Sequence, residues 1–342
     1  MKKITTIVIV LALLLALLEG CAPKQKPGVN GETEVDRGIV KVGLGQKIMI
    51  ENSKDLEENA YAKTDNLMIA AGFDKEGRVV TVSIDTLLTT IIFDKELQII
   101  NDFTQPQKTI KEQSGQGDVN KEWAVKAEAL EKWMIGKTAK QIKELIESND
   151  KELAAIVVIN KETGFQDVLE EAYNNAFEVK GVEKVGLGQY TTIAKSKSIG
   201  INADKSERLP FGQTDTIMAA IALDSKGRIV KTIFDDAQTK VMLDKEGKII
   251  SDKKAEYKTK GELKEEYKPE EIITVKKEWY QQMEALADWT KGKNLKEVAA
   301  IKLKEQDANH PAVPDEEQLK GDISISIEGF LAALQKAADN AR

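Results

Sequence analysis

Val42-Gly43-Leu44-Gly45-Gln46 stands near the start of the chain and returns as Val185-Gly186-Leu187-Gly188-Gln189. Working outward, the surrounding sequence also returns in order. Thr64-Asp65 opens an apolar stretch that ends in Asp74-Lys75-Glu76-Gly77, and Thr214-Asp215 opens one that ends in Asp224-Ser225-Lys226-Gly227. Phe93-Asp94-Lys95-Glu96 is matched by Leu243-Asp244-Lys245-Glu246, and Lys121-Glu122-Trp123 by Lys277-Glu278-Trp279. Gly164-Phe165, with Ala172 and Asn175-Ala176 behind it, is matched by Gly329-Phe330, with Ala337 and Asn340-Ala341. The offset grows from 143 (Gly43 to Gly186) through 150 (Asp65 to Asp215) and 156 (Trp123 to Trp279) to 165 (Gly164 to Gly329). Such drift is what loop insertions produce in a duplicated domain. The expectation is one repeat over 38–180 and a second over 181–342, each a unit with its own core.

Periodicity sets the fold of the unit. Met218 to Leu223, the turn Asp224 to Gly227, and Arg228 to Phe234 read as a hairpin with glycine at the positive-φ position. Thr239 to Leu243, Asp244 to Gly247 and Lys248 to Ser251 read as a second hairpin. A helix follows, with Trp279, Met283 and Leu286 on one face and Trp123, Ala127, Leu130 and Met134 in the counterpart. Gly136 and Gly292 close these helices. A β-rich stretch (Ile156 to Ile159; Ile323 to Ile327) then runs into a terminal helix. The class is α+β: two tandem copies of an antiparallel hairpin meander with helices packed on one side.

The N-terminus reads as an address. Lys2 and Lys3 precede an apolar run from Ile4 to Leu18, too short for a comfortable span of ~20 residues. The run ends at Glu19-Gly20-Cys21, and Cys21 is the only cysteine in the chain. Residues 1–20 thus resemble a bacterial lipoprotein signal, cut before a cysteine whose thiol carries the lipid. Residues 21–37 hold Pro23, Pro27, Gly28 and Gly31 without apolar periodicity, a flexible tether reaching roughly 20–25 Å from the bilayer. The expected location is the extracytoplasmic face of the cell membrane, held by lipid.

Composition excludes other classes. In 342 residues, 41% are hydrophobic and 31% charged, which fits neither a disordered chain nor a multi-pass membrane protein. The formal charge of −7, with no Lys/Arg-rich block, argues against nucleic acid as a partner. One cysteine permits no intrachain disulfide or thiolate metal cluster, and one histidine, His310, permits no histidine-rich zinc site. His310 is expected exposed in a Pro-flanked loop.

Apparent nucleotide motifs fail on inspection. Gly136-Lys137-Thr138 has Glu131 where a phosphate-binding loop needs its first glycine, and it follows a helix rather than a strand. Gly43-Leu44-Gly45 lacks the third glycine of a dinucleotide fingerprint, since Ile48 stands there; a bulge or a close approach of backbones is expected instead. The Asp-Lys-Glu-Gly segments are turns without a calcium-binding glutamate. The four tryptophans all lie on the repeated helix, either as core or as the lining of a flat aromatic ligand's site.

Asn160-Lys161-Glu162-Thr163-Gly164 fits the first five positions of a signature that leads into a last helix. With export, lipidation and tandem α+β repeats, the layout resembles the FMN-binding domain family, whose lipoproteins relay electrons outside the membrane. In that family a final threonine takes FMN through its phosphate. Here Phe165 and Gln166 stand at the last two positions of repeat 1. In repeat 2 only Gly329 fits, with Ile325, Glu328, Phe330 and Leu331 around it. Glutamine and leucine offer no hydroxyl, so covalent flavin is excluded. The resemblance then implies non-covalent FMN, its phosphate at a helix N-terminus, with Thr163, Gly164, Ser324, Ser326 and Gly329 as cofactor-binding residues. The residues alone also allow Thr163 as an N-cap and Ser324 and Ser326 as the wet face of a strand.

Two expectations result. One is a flavin-binding or electron-relay module without catalysis of its own. The other is a non-catalytic surface lipoprotein that binds another small ligand or a protein partner. No catalytic constellation and no metal site are identifiable from the sequence.

Overall fold

A Cβ built on Gly43 would lie 1.7 Å from the carbonyl oxygen of Ala172, and one on Gly45 2.2 Å from that of Val168. In the second repeat Gly186 meets the Ala337 oxygen at 1.9 Å and Gly188 the Ala333 oxygen at 2.1 Å. The repeated glycines therefore mark a close approach of backbones, in which a helix lies directly on a strand. In this computed structural model, residues 38–102, 104–148, 150–156, 164–268, 275–308 and 310–342 are described. The signal segment 1–20, the tether 21–37 with Cys21, and Thr163 lie outside the described residues.

In the first repeat β1 (Ile39–Met49), β2 (Ala60–Phe73) and β3 (Val79–Phe93) form an antiparallel meander. Helices α1 (Asp118–Met134), α2 (Ala139–Glu147), α3 (Lys151–Ile156) and α4 (Phe165–Asn174) follow, and β4 (Phe177–Val182) returns to the edge of β1. The sheet order is β3-β2-β1-β4. In the second repeat β5 (Lys184–Thr192) leads through a two-residue hairpin, β6 (Gly200–Ile201) and β7 (Glu207–Arg208), to β8 (Phe211–Leu223) and β9 (Ile229–Met242). Its order is β5-β8-β9. Helices α5 (Lys260–Leu263), α6 (Trp279–Thr290), α7 (Leu295–Ala299) and α8 (Glu328–Asp339) follow, with β10 (Leu303–Lys304) pairing β11 (Val313–Pro314) between the last two.

Alternation sorts each central strand between two cores. From β2, Leu67, Ile69, Ala71 and Phe73 pack on Leu130 and Met134 of α1 and on Val168 and Leu169 of α4. From β8, Ala219, Ile221 and Leu223 pack on Trp279, Met283 and Leu286 of α6 and on Phe330, Ala333 and Leu334 of α8. The opposite faces meet each other: Met68 and Ala70 of β2 share one cluster with Met218, Ala220 and Ala222 of β8. The result is helix, sheet, sheet, helix. Equivalent residues touch across the middle, as the Thr214 hydroxyl donates to that of Thr64 at 3.3 Å and Gly212 faces the Cβ of Ala62. That self-pairing is the mark of a two-fold relation between the repeats.

Several local expectations change. A boundary at 180/181 falls inside β4, which belongs to the first sheet. Strand β9 runs unbroken to Met242, and the expected second hairpin shrinks to a turn with one bridge, Leu243 to Ile249. Ile156 ends a helix, and residues 157–159 lie outside the described residues. Ile323 to Ile327 is no strand: the Ser324 N–H donates to Gln282 Oε1 and that of Ile327 to the Ala312 carbonyl, so no ladder forms. Its buried isoleucines serve the α6/α8 core directly. His310 is largely covered, its side chain 13% exposed and its ring bonded to Asp307. The turn glycines Gly77 and Gly227 do adopt positive φ, 76° and 72°.

Two outcomes test this packing. Gly188→Ala should cost about 3 kcal/mol in urea denaturation, the upper range for overpacking, while Gly115→Ala, with open space around it, should stay within ~0.5 kcal/mol. A fragment of residues 181–342 exposes the inner face of β8, at roughly 1.5–3 kcal/mol per large apolar side chain uncovered. It should show no cooperative melt until residues 38–180 are added; a cooperative melt of the fragment alone would refute the shared core.

Candidate functional site

The sequence-derived flavin residues fall at two helix starts, one in each repeat. Gly164 caps α4 in the left-handed region at φ 68°, with the Lys47 side chain against it, on the first sheet. Ser324, Ser326 and Gly329 lie at the start of α8, on the second sheet. There the Ser326 hydroxyl accepts the Ala312 N–H at 3.1 Å, Ser324 is buried, and Gly329 packs on Ile217 and Tyr190. Near Gly164 stand the Lys47 ammonium, a donor, and two acceptors, the Asp167 carboxylate and a buried, unpartnered Gln166 Oε1. A phosphate needs donors. At the start of α8 Glu328 adds a negative charge that opposes a phosphate, and at the start of α4 a phosphate would meet Lys47 and Asp167 together.

A different site emerges where the repeats cross. After each Gly-x-Gly the strand presents a glutamine, and each glutamine reaches the other repeat. Gln189 Nε2 donates to Glu112 Oε2 at 3.0 Å, and Gln46 Nε2 donates to Glu262 Oε2 at 2.8 Å. Glu112 and Glu262 are held alike, each accepting the N–H of a threonine three residues earlier (Thr109, 2.8 Å; Thr259, 2.7 Å) that receives the glutamate's own N–H in return. Behind each threonine sits a strand aspartate, Asp85 or Asp235. The construction is the same twice.

Its occupants differ. At Glu112 the Lys336 ammonium of α8 approaches Oε1 at 2.6 Å, and Gln189 Oε1 accepts the Thr191 hydroxyl at 2.7 Å. The helix contacts on the strand glycines make Glu171 the counterpart of Lys336, because Ala172 and Ala337 sit on equivalent glycines. Glu171 Oε2 accepts the Gln46 N–H at 2.9 Å. Ile48 replaces Thr191, and Gln46 Oε1 is buried without a partner among the described residues. One seam thus closes with a carboxylate, an ammonium and a hydroxyl. The other brings two carboxylates to one glutamine, one on its backbone N–H and one on its side-chain amide, and leaves an acceptor idle.

The electrostatics follow the wiring. At the closed seam burial pushes Glu112 up, but Lys336, Thr109 and Gln189 outweigh it and hold the carboxyl below its ordinary value. At the open seam burial pushes Glu171 up to about 7; Gln46 N–H opposes this, and Glu262, Asp235 and Glu256 add to it. Burial also raises Asp235 to about 7 against its bonds from Thr259, Asp236 and Gly261. Asp236 pairs with Lys260 at 2.6 Å, and burial would lower that ammonium's pKa were Asp236 and Tyr267 not holding it raised.

Two hollows flank the open seam and share Glu171, Glu256 and Glu262. One, of about 600 Å³, runs past Gln46, Lys47 and Tyr257. The other, of about 720 Å³, is walled by Phe234, Trp279, Tyr280 and Met283. Trp279 is thus both core, 5% exposed, and the edge of a hollow. Among the described residues no group of three or more His, Cys, Asp or Glu is placed to hold a metal ion. Compared with known proteins, the chain matches no family model, no curated protein and no solved structure.

Reading the sequence missed Gln46, Glu171 and Glu262. A signal existed in the repeat alignment: at an offset of 165 a glutamate faces a lysine, and at 143 Ile48 faces Thr191.

The pH dependence can be signed. Glu171 moves from an ordinary 4.5 to about 7 on folding. Between those values the folded state keeps a proton that the unfolded chain has released, so stability falls as pH rises and levels off above the window. Melting temperatures across that window should therefore fall less steeply for Glu171→Gln than for wild type, with Asp235 and Asp85 supplying the remaining slope. Identical slopes would remove Glu171 as the titrating group.

Proposed function

We propose that this chain is a lipid-anchored binding protein of the extracytoplasmic membrane face, without catalysis of its own, that takes a small ligand at the open seam between its repeats. The single observation carrying this reading is the difference between two otherwise matched seams, one satisfied internally and one left with an unpartnered buried acceptor and two adjoining hollows. Buried polar groups are normally satisfied, and convergent polar groups beside an apolar wall are what ligand sites offer. Gln46 stands as a hydrogen-bonded bridge to both carboxylates. That arrangement suits recognition better than acid–base chemistry on a shared atom.

Anchoring rests on the charged start, apolar run and Cys21. No helix among the described residues is long and apolar enough to cross a membrane.

Two measurements test the proposal. Cys21→Ala should release the protein from the membrane fraction or leave an uncut precursor; a variant that is processed and stays bound defeats lipidation. A thermal-shift panel of small molecules, FMN included, should give hits on wild type that Glu171→Lys loses, because lysine closes the seam as Lys336 closes its counterpart. Hits that all survive Glu171→Lys place the ligand elsewhere.

A further inference from the structure

The closed seam shows what the open one lacks. Where Lys336 delivers an ammonium to Glu112, its counterpart delivers a second carboxylate. Glu171 and Glu262 each spend one oxygen, Oε2, on Gln46, and Glu262 adds the Thr259 N–H on that same atom. Their Oε1 atoms carry no hydrogen bond among the described residues. Lys47, Lys253, Lys254, Lys258 and Lys264 line the two hollows, yet among the described residues no cation lies within 4 Å of Glu171 or Glu262. The third acceptor, Gln46 Oε1, belongs to a residue only 6% exposed and has no partner among the described residues. Three acceptors on neighbouring side chains are therefore left without a protein donor among the described residues.

We infer that the open seam binds the primary ammonium group of a small ligand, at the place Lys336 fills in the closed seam, with the ligand's apolar body against Phe234, Trp279 and Met283. The inference rests on the reading of this seam as the ligand site and adds the chemical class. An ammonium carries three N–H donors and no acceptor, which matches two carboxylate oxygens and one amide oxygen. It also neutralises part of the charge that Glu171, Glu262 and Glu256 concentrate there. An alcohol supplies one donor, and a quaternary ammonium none. Gln46 lines one hollow and Trp279 the other, and both hollows share Glu171 and Glu262, so the head sits where the two meet with the tail toward Trp279.

The test is calorimetric titration of 2-phenylethylammonium chloride into the purified chain at about pH 8, where Glu171 is ionised. 2-Phenylethanol and the N,N,N-trimethyl analogue serve as comparators of similar shape. The primary ammonium should bind at least tenfold tighter than either comparator. Glu171→Lys should abolish the binding and melt no lower than wild type. Glu171→Gln, which still accepts the Gln46 N–H, should weaken binding at least tenfold, and Lys336→Gln should leave it unchanged. If 2-phenylethanol binds as tightly and loses binding in Glu171→Lys, the ammonium is refuted while the seam stands as the site. If the ammonium does not bind, or binds Glu171→Lys as well as wild type, the inference is overturned.

Discussion

The structure hangs on four carbonyl oxygens seated where four side chains would otherwise be. Val168 and Ala172 of α4 rest on Gly45 and Gly43, and Ala333 and Ala337 of α8 rest on Gly188 and Gly186. Contact this close fixes the rotation of the helix as well as its height, because only one set of backbone atoms can face the gap. The residue before the seated alanine, Glu171 or Lys336, is thereby aimed at the strand's edge. There it reaches Gln46 in one repeat and the neighbouring repeat's Glu112 in the other. A packing constraint at the glycines thus sets the chemistry at the glutamine that follows them on the strand.

A second constraint lies between the sheets. The central strands β2 and β8 meet there through methionine and alanine, with Met68 and Met218 fully buried, flanked by aliphatic residues such as Val42, Leu44, Val185 and Leu187. Some polar links across the join come in matched pairs: the two glutamine-to-glutamate bonds run in opposite directions between the repeats. Others occur singly, such as Arg342 on the buried Glu131 of the first repeat. Neither repeat completes its own polar network. Each supplies the residue that satisfies the other's cap.

Much of the fold was legible because it is local. The Gly-x-Gly pair, the Asp-initiated turns and the tryptophan helix each announce themselves within a few residues, and the two copies corroborate one another. The failures are non-local. Asp235-Asp236 breaks the apolar alternation of β9, so the strand seemed to stop, yet both carboxylates are held by groups near residue 260, the Gly261 N–H and the Lys260 ammonium. Ile323 to Ile327 alternates like a strand but takes its hydrogen bonds from Gln282 and Ala312 one at a time. The site was hidden for the same reason. Gln46 and Glu262 are 216 residues apart, and two glutamates among 57 acidic residues carry no local mark.

The covalent link between the repeats has a consequence for how such a site can arise. In a dimer of identical chains every substitution is written twice, so converting a lysine to a glutamate would unlock both seams and forfeit both clamps together. A tandem duplicate is free of that coupling. One seam, with Lys336, Glu112 and Thr191, continues to hold the halves in register, while its twin is released from that duty. Symmetry here is a scaffold that one copy keeps and the other is at liberty to leave.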